Sequence, residues 1–343
     1  MVRKKFPDEG TPLYEKVVAR VEDGDKYNDI AESLSMTNKS FRDALYNHGI
    51  KRKPKAYQGE LPPVYDFPKS ASWEEHIKVM MDMDSLVAHH LRVPNEITIE
   101  TETDKPVCVV ATADWQLGQF GVDLEAFQRD MLTIRDTPFM RVNIGGDGYQ
   151  NIIQTSKMGS SHNQTPISVQ RGLYYLTLEM LQEHIDSIRT GNHNYWATLM
   201  TGEDWDGELA KRLSLIYLKH YAMIHYKVGE QVYPWLLLHQ SRYNSSFNLT
   251  HNCKQNQRLH FPDARVVIAE HHHVGAIEQY RYNNRECVAI RPGTYAVYDD
   301  YAQQYGFFGS HVCNPAVVMY PDRDKLVGFK DMYDAKIFME GIL

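Results

Sequence analysis

Hydrophobic positions along the chain change period near residue 95, and the change divides it. From Thr11 to Val21 the apolar residues Leu13, Val17, Val18 and Val21 repeat at helical spacing, which predicts a first helix ended by Glu22-Asp23-Gly24-Asp25. Tyr27 to Leu34 predicts a second helix closed by Ser35-Met36, and Asn38 to Asn47 a third. Thr37 stands before the third as an N-cap whose hydroxyl can take a free backbone amide, and Gly49 stops it with Ile50 packing back. Ile30, Ala31, Leu34, Phe41 and Leu45 then face inward. Pro54, Pro62, Pro63 and Pro68 make a stiff, extended linker. Ser72 to Leu91 returns to helical spacing through Trp73, Ile77, Met80, Val87 and Leu91, with Met80, Met81 and Met83 expected to fill gaps in a core. His89 and His90 are adjacent on that helix and so point apart, as surface or packing histidines.

Beyond residue 95 short apolar runs take over. Glu96 to Glu102 alternates as a strand, and Val107–Ala111, Val142–Ile144, Trp235–Leu238 and Arg265–Ala269 read as buried strands. Between them Leu124 to Ile134 predicts a helix. Val169 to Ile188 predicts a long amphipathic one with Leu173, Leu176, Met180, Leu181, His184 and Ile188 mostly buried. Glu208 to His220 is expected to be helical, and Glu278 to Arg291 a hairpin around Asn283-Asn284. Ser156 to Gln164 is a polar loop suited to a lid, and Gly202 to Gly207 an acidic, solvated one. Strands alternating with helices make this an α/β chain.

Composition narrows the class. With 43% hydrophobic and 24% charged residues among 343, the chain is that of an ordinary soluble protein. It has no apolar run of about eighteen residues, so no membrane span is expected. The start, Met1 to Pro7, is basic but lacks the apolar core of a signal peptide, so the cytoplasm is the expected location. Cys108, Cys253, Cys287 and Cys313 are widely spaced and read as buried thiols. Charge is uneven: residues 1–58 carry 12 Lys and Arg against 9 Asp and Glu, and the remainder 25 against 35. A basic arm before an acidic body suits a nucleic-acid module ahead of a cation-binding one.

The chemistry lies where the apolar runs end. Val107–Ala111 leads to Asp114 and Gln116, Val142–Ile144 to Gly146-Asp147, Trp235–Leu238 to His239, and Arg265–Ala269 to Glu270-His271-His272-His273. A fifth stretch, Arg189-Thr190-Gly191-Asn192-His193-Asn194, sets an amide oxygen and an imidazole after a glycine turn. Ligands in open α/β sheets bind beyond the carboxyl ends of the strands, so a shared divalent-metal site explains all five. Carboxylates favour Mn²⁺ or Mg²⁺, and imidazoles Zn²⁺, Fe²⁺ or Mn²⁺.

Taken in order, these blocks resemble those of the calcineurin-like metallophosphoesterases, D-x-H, G-D, G-N-H-D/E, H and G-H-x-H, over about two thirds of the chain. The resemblance implies an α/β/β/α sandwich and two divalent ions, Mn²⁺ foremost, with Asp147 bridging them. Asp114, Gln116 and His273 would hold one ion, and Asn192, His239 and His271 the other, while His193 would face the scissile phosphate. Arg242, in the polar stretch after His239, could hold a substrate phosphate. Three positions depart from the family. Gln116 replaces a histidine ligand and is a poorer donor to a borderline metal. Asn194 replaces the acid that orients the motif histidine, and Glu270 replaces a glycine. No nucleophile with a paired base and no P-loop is visible, so direct attack by metal-bound hydroxide is the expected mechanism.

The N-terminal pattern Asp29-Ile30-Ala31-Glu32, Met36-Thr37, Phe41, Leu45 and Gly49-Ile50 is similar to those of phage and bacterial helix-turn-helix modules. That resemblance puts Asn38, Lys39, Arg42 and Tyr46 toward the major groove, with Lys51, Arg52, Lys53 and Lys55 along phosphates. The expected organisation is therefore 1–53 as a helix-turn-helix DNA-binding domain, 54–95 as linker and connecting helix, and 96–343 as the metallophosphoesterase domain. A phage-type DNA nuclease, resembling DNA repair exonucleases, is the functional expectation. DNA is the expected partner, and homo-oligomerisation and any protein partner stay open. A DNA-binding protein with a silent phosphoesterase scaffold and a phosphatase on small phosphoesters are the alternatives.

Overall fold

The computed structural model describes residues 6–23, 25–50, 72–91, 95–151, 165–298 and 309–343, without the side chains of 84 and 86–91. Lys51, Arg52, Lys53, the proline linker, the 156–164 loop and the side chains of His89 and His90 lie outside the described residues. The chain separates into two compact units, Met1–Leu86 and Val87–Leu343.

The first unit opens with α1 (Pro12–Glu22), α2 (Tyr27–Ser33) and α3 (Asn38–Asn47). Thr11 and Thr37 cap α1 and α3 by accepting from the amides of Tyr14 and Ser40, and Gly49 leaves α3 with φ 66°. Phe6, Tyr14, Val17, Val21, Ile30, Ala31, Phe41 and Leu45 form its core. Leu13, expected on the inner face, is 53% exposed and Tyr14 takes its place. Lys39 and Arg42 are exposed on α3, whereas Asn38 donates to Asn28 of α2. α4 (Trp73–Leu91) follows, opened by a capping box in which Ser72 and Glu75 exchange hydrogen bonds. Met80, Met81 and Met83 are exposed, correcting their reading as core. Helical spacing marks a face but does not say what covers it.

The second unit is built on two six-stranded sheets. Its strands are β1 (Glu96–Thr101), β2 (Val107–Thr112), β3 (Met140–Ile144), β4 (Ile185–Arg189), β5 (Tyr217–Leu218), β6 (Tyr221–Val228), β7 (Gln231–Leu238), β8 (Val266–Ala269), β9 (Ala276–Tyr282), β10 (Arg285–Arg291), β11 (Ala316–Met319) and β12 (Leu326–Phe329). Its further helices are α5 (Leu124–Arg135), α6 (Ile167–Met180), α7 (Asn192–Thr201), α8 (Trp205–Arg212), α9 (His251–His260) and α10 (Met332–Glu340). One sheet runs β12-β11-β2-β3-β4-β5 with β2 to β5 parallel, and the other β1-β6-β7-β8-β10-β9 with β7, β8 and β10 parallel.

Alternation along β2 shows the layering. Val107, Val109 and Ala111 face the other sheet, meeting Ile224, Trp235, Leu237, Val266 and Ile268. Cys108 and Val110 face outward onto Phe127 and Met131 of α5, Tyr174 and Leu178 of α6, and Met332 of α10. On the far side Leu236, Val267 and Ala289 pack with Cys253 of α9. The unit is therefore an α/β/β/α sandwich. All four cysteines are buried and free, and the β9–β10 hairpin turns on Asn283 and Asn284 with φ of 50° and 59°.

Two expected elements differ. The helix from Val169 to Ile188 stops at Met180, and a 3₁₀ turn over Gln182–His184 leads into β4. Its buried face is Gln170, Tyr174, Thr177 and Leu178, while Leu173 and Leu176 are 41% and 59% exposed. A buried strand and a buried helical turn are equally apolar, so pairing with β3 decides between them. Likewise the helix expected from Glu208 to His220 is α8, ending at Arg212, followed by β5. The acidic loop is solvated at Gly202 and Glu203 but not at its end, where Asp204 caps α8 and Asp206 is 2% exposed.

Candidate metal centre

Five strands deliver the site. β2, β3 and β4 are neighbours in one sheet, β7 and β8 in the other, and each ends just before a polar block. The backbone ties the first two blocks together, with Asp114 N donating to Gly146 O and Gln116 N to Asp147 O. Asp114, Gln116, Asp147, His271 and His273 all have left-handed backbone, with φ of 51°, 52°, 58°, 75° and 58°. Such a conformation costs about 1 kcal/mol or more for a residue with a Cβ and persists where surrounding structure enforces it. Glycine is required beside them. A Cβ on Gly146 would stand 2.6 Å from both Gly191 N and His239 Nδ1.

Asp147 is the hub. Its Oδ1 accepts from the His193 amide at 2.9 Å, and its Oδ2 lies 3.3 Å from His239 Nε2. His239 Nε2 is also 3.0 Å from Asn192 Oδ1. On the other ring nitrogen, Glu270 Oε2 lies 3.1 Å from His239 Nδ1 and accepts from Gly146 N at 2.9 Å. Glu270 thus fixes the tautomer by accepting from Nδ1–H, so that the neutral ring turns its Nε2 lone pair toward two oxygens. Lone pairs that converge in this way call for a cation between them.

Asp114, Gln116 and His273 stand together beside this group. His273 Nε2 is 3.7 Å from Asp114 Oδ1, and Gln116 Nε2 is 3.5 Å from both His273 Nε2 and Asp147 Oδ2. Asp114 Oδ1, Gln116 Oε1 and His271 Nδ1 are buried and have no hydrogen-bond partner among the described residues. Burial pushes the Asp114 carboxyl up to about 7. Burial also opposes the charge of Asp147, but the His193 and His239 imidazoles outweigh it and hold this carboxyl below the usual range. Burial lowers His271 to about 4 and His273 to about 3, which keeps both rings neutral, the form that binds metal. Orphaned acceptors, a charged carboxylate and neutral imidazoles together fit a divalent cation. Among the described residues, Asp147, His239 and His271 offer three ligand atoms within 4.8 Å of one another.

His193 is held apart from the ligands. Its Nδ1 donates to Gln150 O at 2.6 Å, and its ring lies on Trp196 with centroids 4.5 Å apart. Nε2 faces the site, 3.9 Å from Asp147 Oδ2. The backbone of Gln150 therefore does what the acid missing at Asn194 was expected to do. Asn194 instead donates to Asp206 at 2.7 Å. Arg242 is exposed and donates to Tyr243 rather than toward the ligands.

Sequence reasoning named the candidate ligands but not their supports. Arg189, 1% exposed, pairs with Glu270; the signal was an arginine closing an apolar strand. Gln240 Nε2 reaches Asn192 Oδ1 at 3.0 Å and His271 Nε2 at 3.3 Å. The role of Gln150 runs through a carbonyl and leaves no trace in residue type.

No family model and no curated protein matches the chain. Among solved structures it is similar to a protein described as a 5′-nucleotidase from Staphylococcus aureus, at 13% identity over 66% of this chain and 53% of that one, with TM-score 0.40. The chain spans about half of that protein's length. It is also similar to the calcineurin-like phosphoesterase YfkN from Bacillus subtilis, at 9% identity over 63% and 85% of the two chains and TM-score 0.34. For a metallophosphoesterase from Sphaerobacter thermophilus the values are 16%, 68%, 95% and 0.33. These TM-scores are low, and the residues around Asp147 carry the chemistry by themselves.

Proposed function

We propose that this chain is a metal-dependent phosphoester hydrolase, a nuclease of phage type acting on the phosphodiesters of DNA. The observation that carries the reading is the convergence of Asp147, His239 and His271, with Asn192 beside them, at the carboxyl ends of both sheets. Asp114 and His273 extend the set. Mn²⁺ suits this mixture of carboxylate, amide and imidazole. Bound divalent cations would supply Lewis acidity toward phosphoryl oxygens and lower the pKa of water.

The chain's own groups then have distinct tasks. Asp147 keeps its negative charge although fully buried, because imidazoles surround it. Glu270 and Gly146 hold His239 in one tautomer and one orientation. With Nδ1 engaged by Gln150 O, His193 offers Nε2 to the phosphate, where it holds or gives a proton at the leaving oxygen. A general acid in such a place contributes about 10² to 10⁴ in rate. Lys39 and Arg42, exposed on α3, are cations suited to the DNA backbone or base edges.

The test is hydrolysis of bis-p-nitrophenyl phosphate and of labelled single- and double-stranded DNA with Mn²⁺, Mg²⁺, Zn²⁺ or chelator. Hydrolysis that needs metal and falls at least a hundredfold in both His193→Ala and Asp147→Asn is expected. No turnover with any metal or any substrate, alongside intact DNA binding, would favour the second reading, a DNA-binding protein on a silent scaffold. Gln116 and Asn194 are the residues that keep that reading in view.

A further inference from the structure

We propose that Gln116 makes the metal centre unequal: one cation is held tightly by Asp147, Asn192, His239 and His271, while the Gln116 amide fills in for a second between Asp114 and His273. The proposal rests on the metal-dependent reading above and says how many ions that centre keeps.

The geometry around the amide carries it. Gln116 is 1% exposed, on backbone with φ 52°. Its Nε2 stands 3.5 Å from Asp147 Oδ2 and 3.5 Å from His273 Nε2, two of the groups that an ion beside Asp114 would have to share. Its Oε1 is buried with no hydrogen-bond partner among the described residues. This orientation follows from charge. An amide oxygen facing Asp147 would set acceptor against carboxylate, whereas the NH₂ group donates weakly to both neighbours. To ligate a cation the amide must turn over inside a closed pocket, giving up both contacts. A histidine at this position would need no such turn. The three ligand atoms lying within 4.8 Å of one another belong to Asp147, His239 and His271, so they favour the other position.

Gln240 supplies the contrast. It too sets an amide nitrogen against the ligands, 3.0 Å from Asn192 Oδ1 and 3.3 Å from His271 Nε2. Its side chain is exposed and can withdraw into water when an ion arrives. Gln116, 1% exposed, is enclosed by protein and cannot withdraw in this way.

The test is Mn²⁺ binding to the full chain, followed by calorimetry and by the electron paramagnetic resonance signature of coupled Mn²⁺ pairs. Wild type is expected to bind one Mn²⁺ tightly, with any second at least about tenfold weaker and no coupled-pair signal at one equivalent. Gln116→His is expected to bind two with similar affinity and to show coupling. If that variant does not fold, Gln116→Glu, of the same shape but with a carboxylate, is expected to bind the second ion instead. Two ions of equal affinity in wild type would overturn this proposal alone, as would a folded Gln116→His or Gln116→Glu that still binds one. Binding of no ion by wild type would overturn the hydrolase reading as well.

Discussion

Glu270 stands behind the candidate ligands, where it joins the His239 ring, the Gly146 amide and the buried Arg189 guanidinium. A carboxylate behind a metal-binding histidine fixes its ring and raises its basicity. Glu270→Gln should therefore lower Mn²⁺ affinity about ten- to a hundredfold with the fold intact, measured by titration calorimetry. Arg189→Met should instead destabilise by about 3–5 kcal/mol in denaturant unfolding, because it strands a buried carboxylate. Asp206 allows a pH test. Burial raises its carboxyl from 3.8 to about 7, so the folded state holds a proton there that the unfolded state releases. The stability this contributes is present below pH 3.8 and is lost as pH rises through about 7. Relative to wild type, Asp206→Asn should thus gain thermal stability between those limits, and a parallel pair of melting curves would count against the shift. Legibility at this scale followed chemistry. Asp114, Asp147, Asn192, His239, His271 and His273 are side chains that end strands and could be read off directly, whereas Gln150 acts through its backbone.

Elements were legible where period and length agreed. α3 kept its expected N-cap, Thr37, and β2, β3, β7 and β8 lie where the apolar runs are. One exception is α6, where Leu173, Leu176 and Met180 look like a buried stripe but are exposed, and Tyr174 and Leu178 pack on the sheet. The wrong face was read because Leu outranks Tyr in hydrophobicity, although Tyr174 sits against Trp115 and Tyr149 in an aromatic cluster. Two substitutions separate the readings. Leu176→Gln should change stability by no more than about 0.5 kcal/mol, and Tyr174→Ala should cost about 3–5 kcal/mol, both by chemical denaturation. Equal losses would restore the sequence-based face.

For the whole molecule, charge and architecture make separate statements. The balance of 12 basic to 9 acidic residues over 1–58, against 25 to 35 afterwards, is what the proposed contact of residues 1–58 with phosphates would draw on, with cations attracted to the remainder. Replacing Lys39 and Arg42 together by alanine in the full chain should weaken DNA binding and flatten its dependence on salt, while leaving Mn²⁺ uptake unchanged. The sandwich was legible as a class, but the division of twelve strands between two sheets was not, since register depends on contacts far apart in sequence. That division has a consequence of its own. Asp147 and Asn192 follow strands of one sheet, and His239 and His271 follow strands of the other. An ion joining them is a clasp across the sandwich that neither sheet can close alone, so metal becomes a folding ligand. Free Mn²⁺ at a hundred times its dissociation constant adds about 2.7 kcal/mol to folding. The melting temperature should climb with the logarithm of Mn²⁺ concentration, and the slope should vanish in Asp147→Asn, where the clasp has lost its central carboxylate.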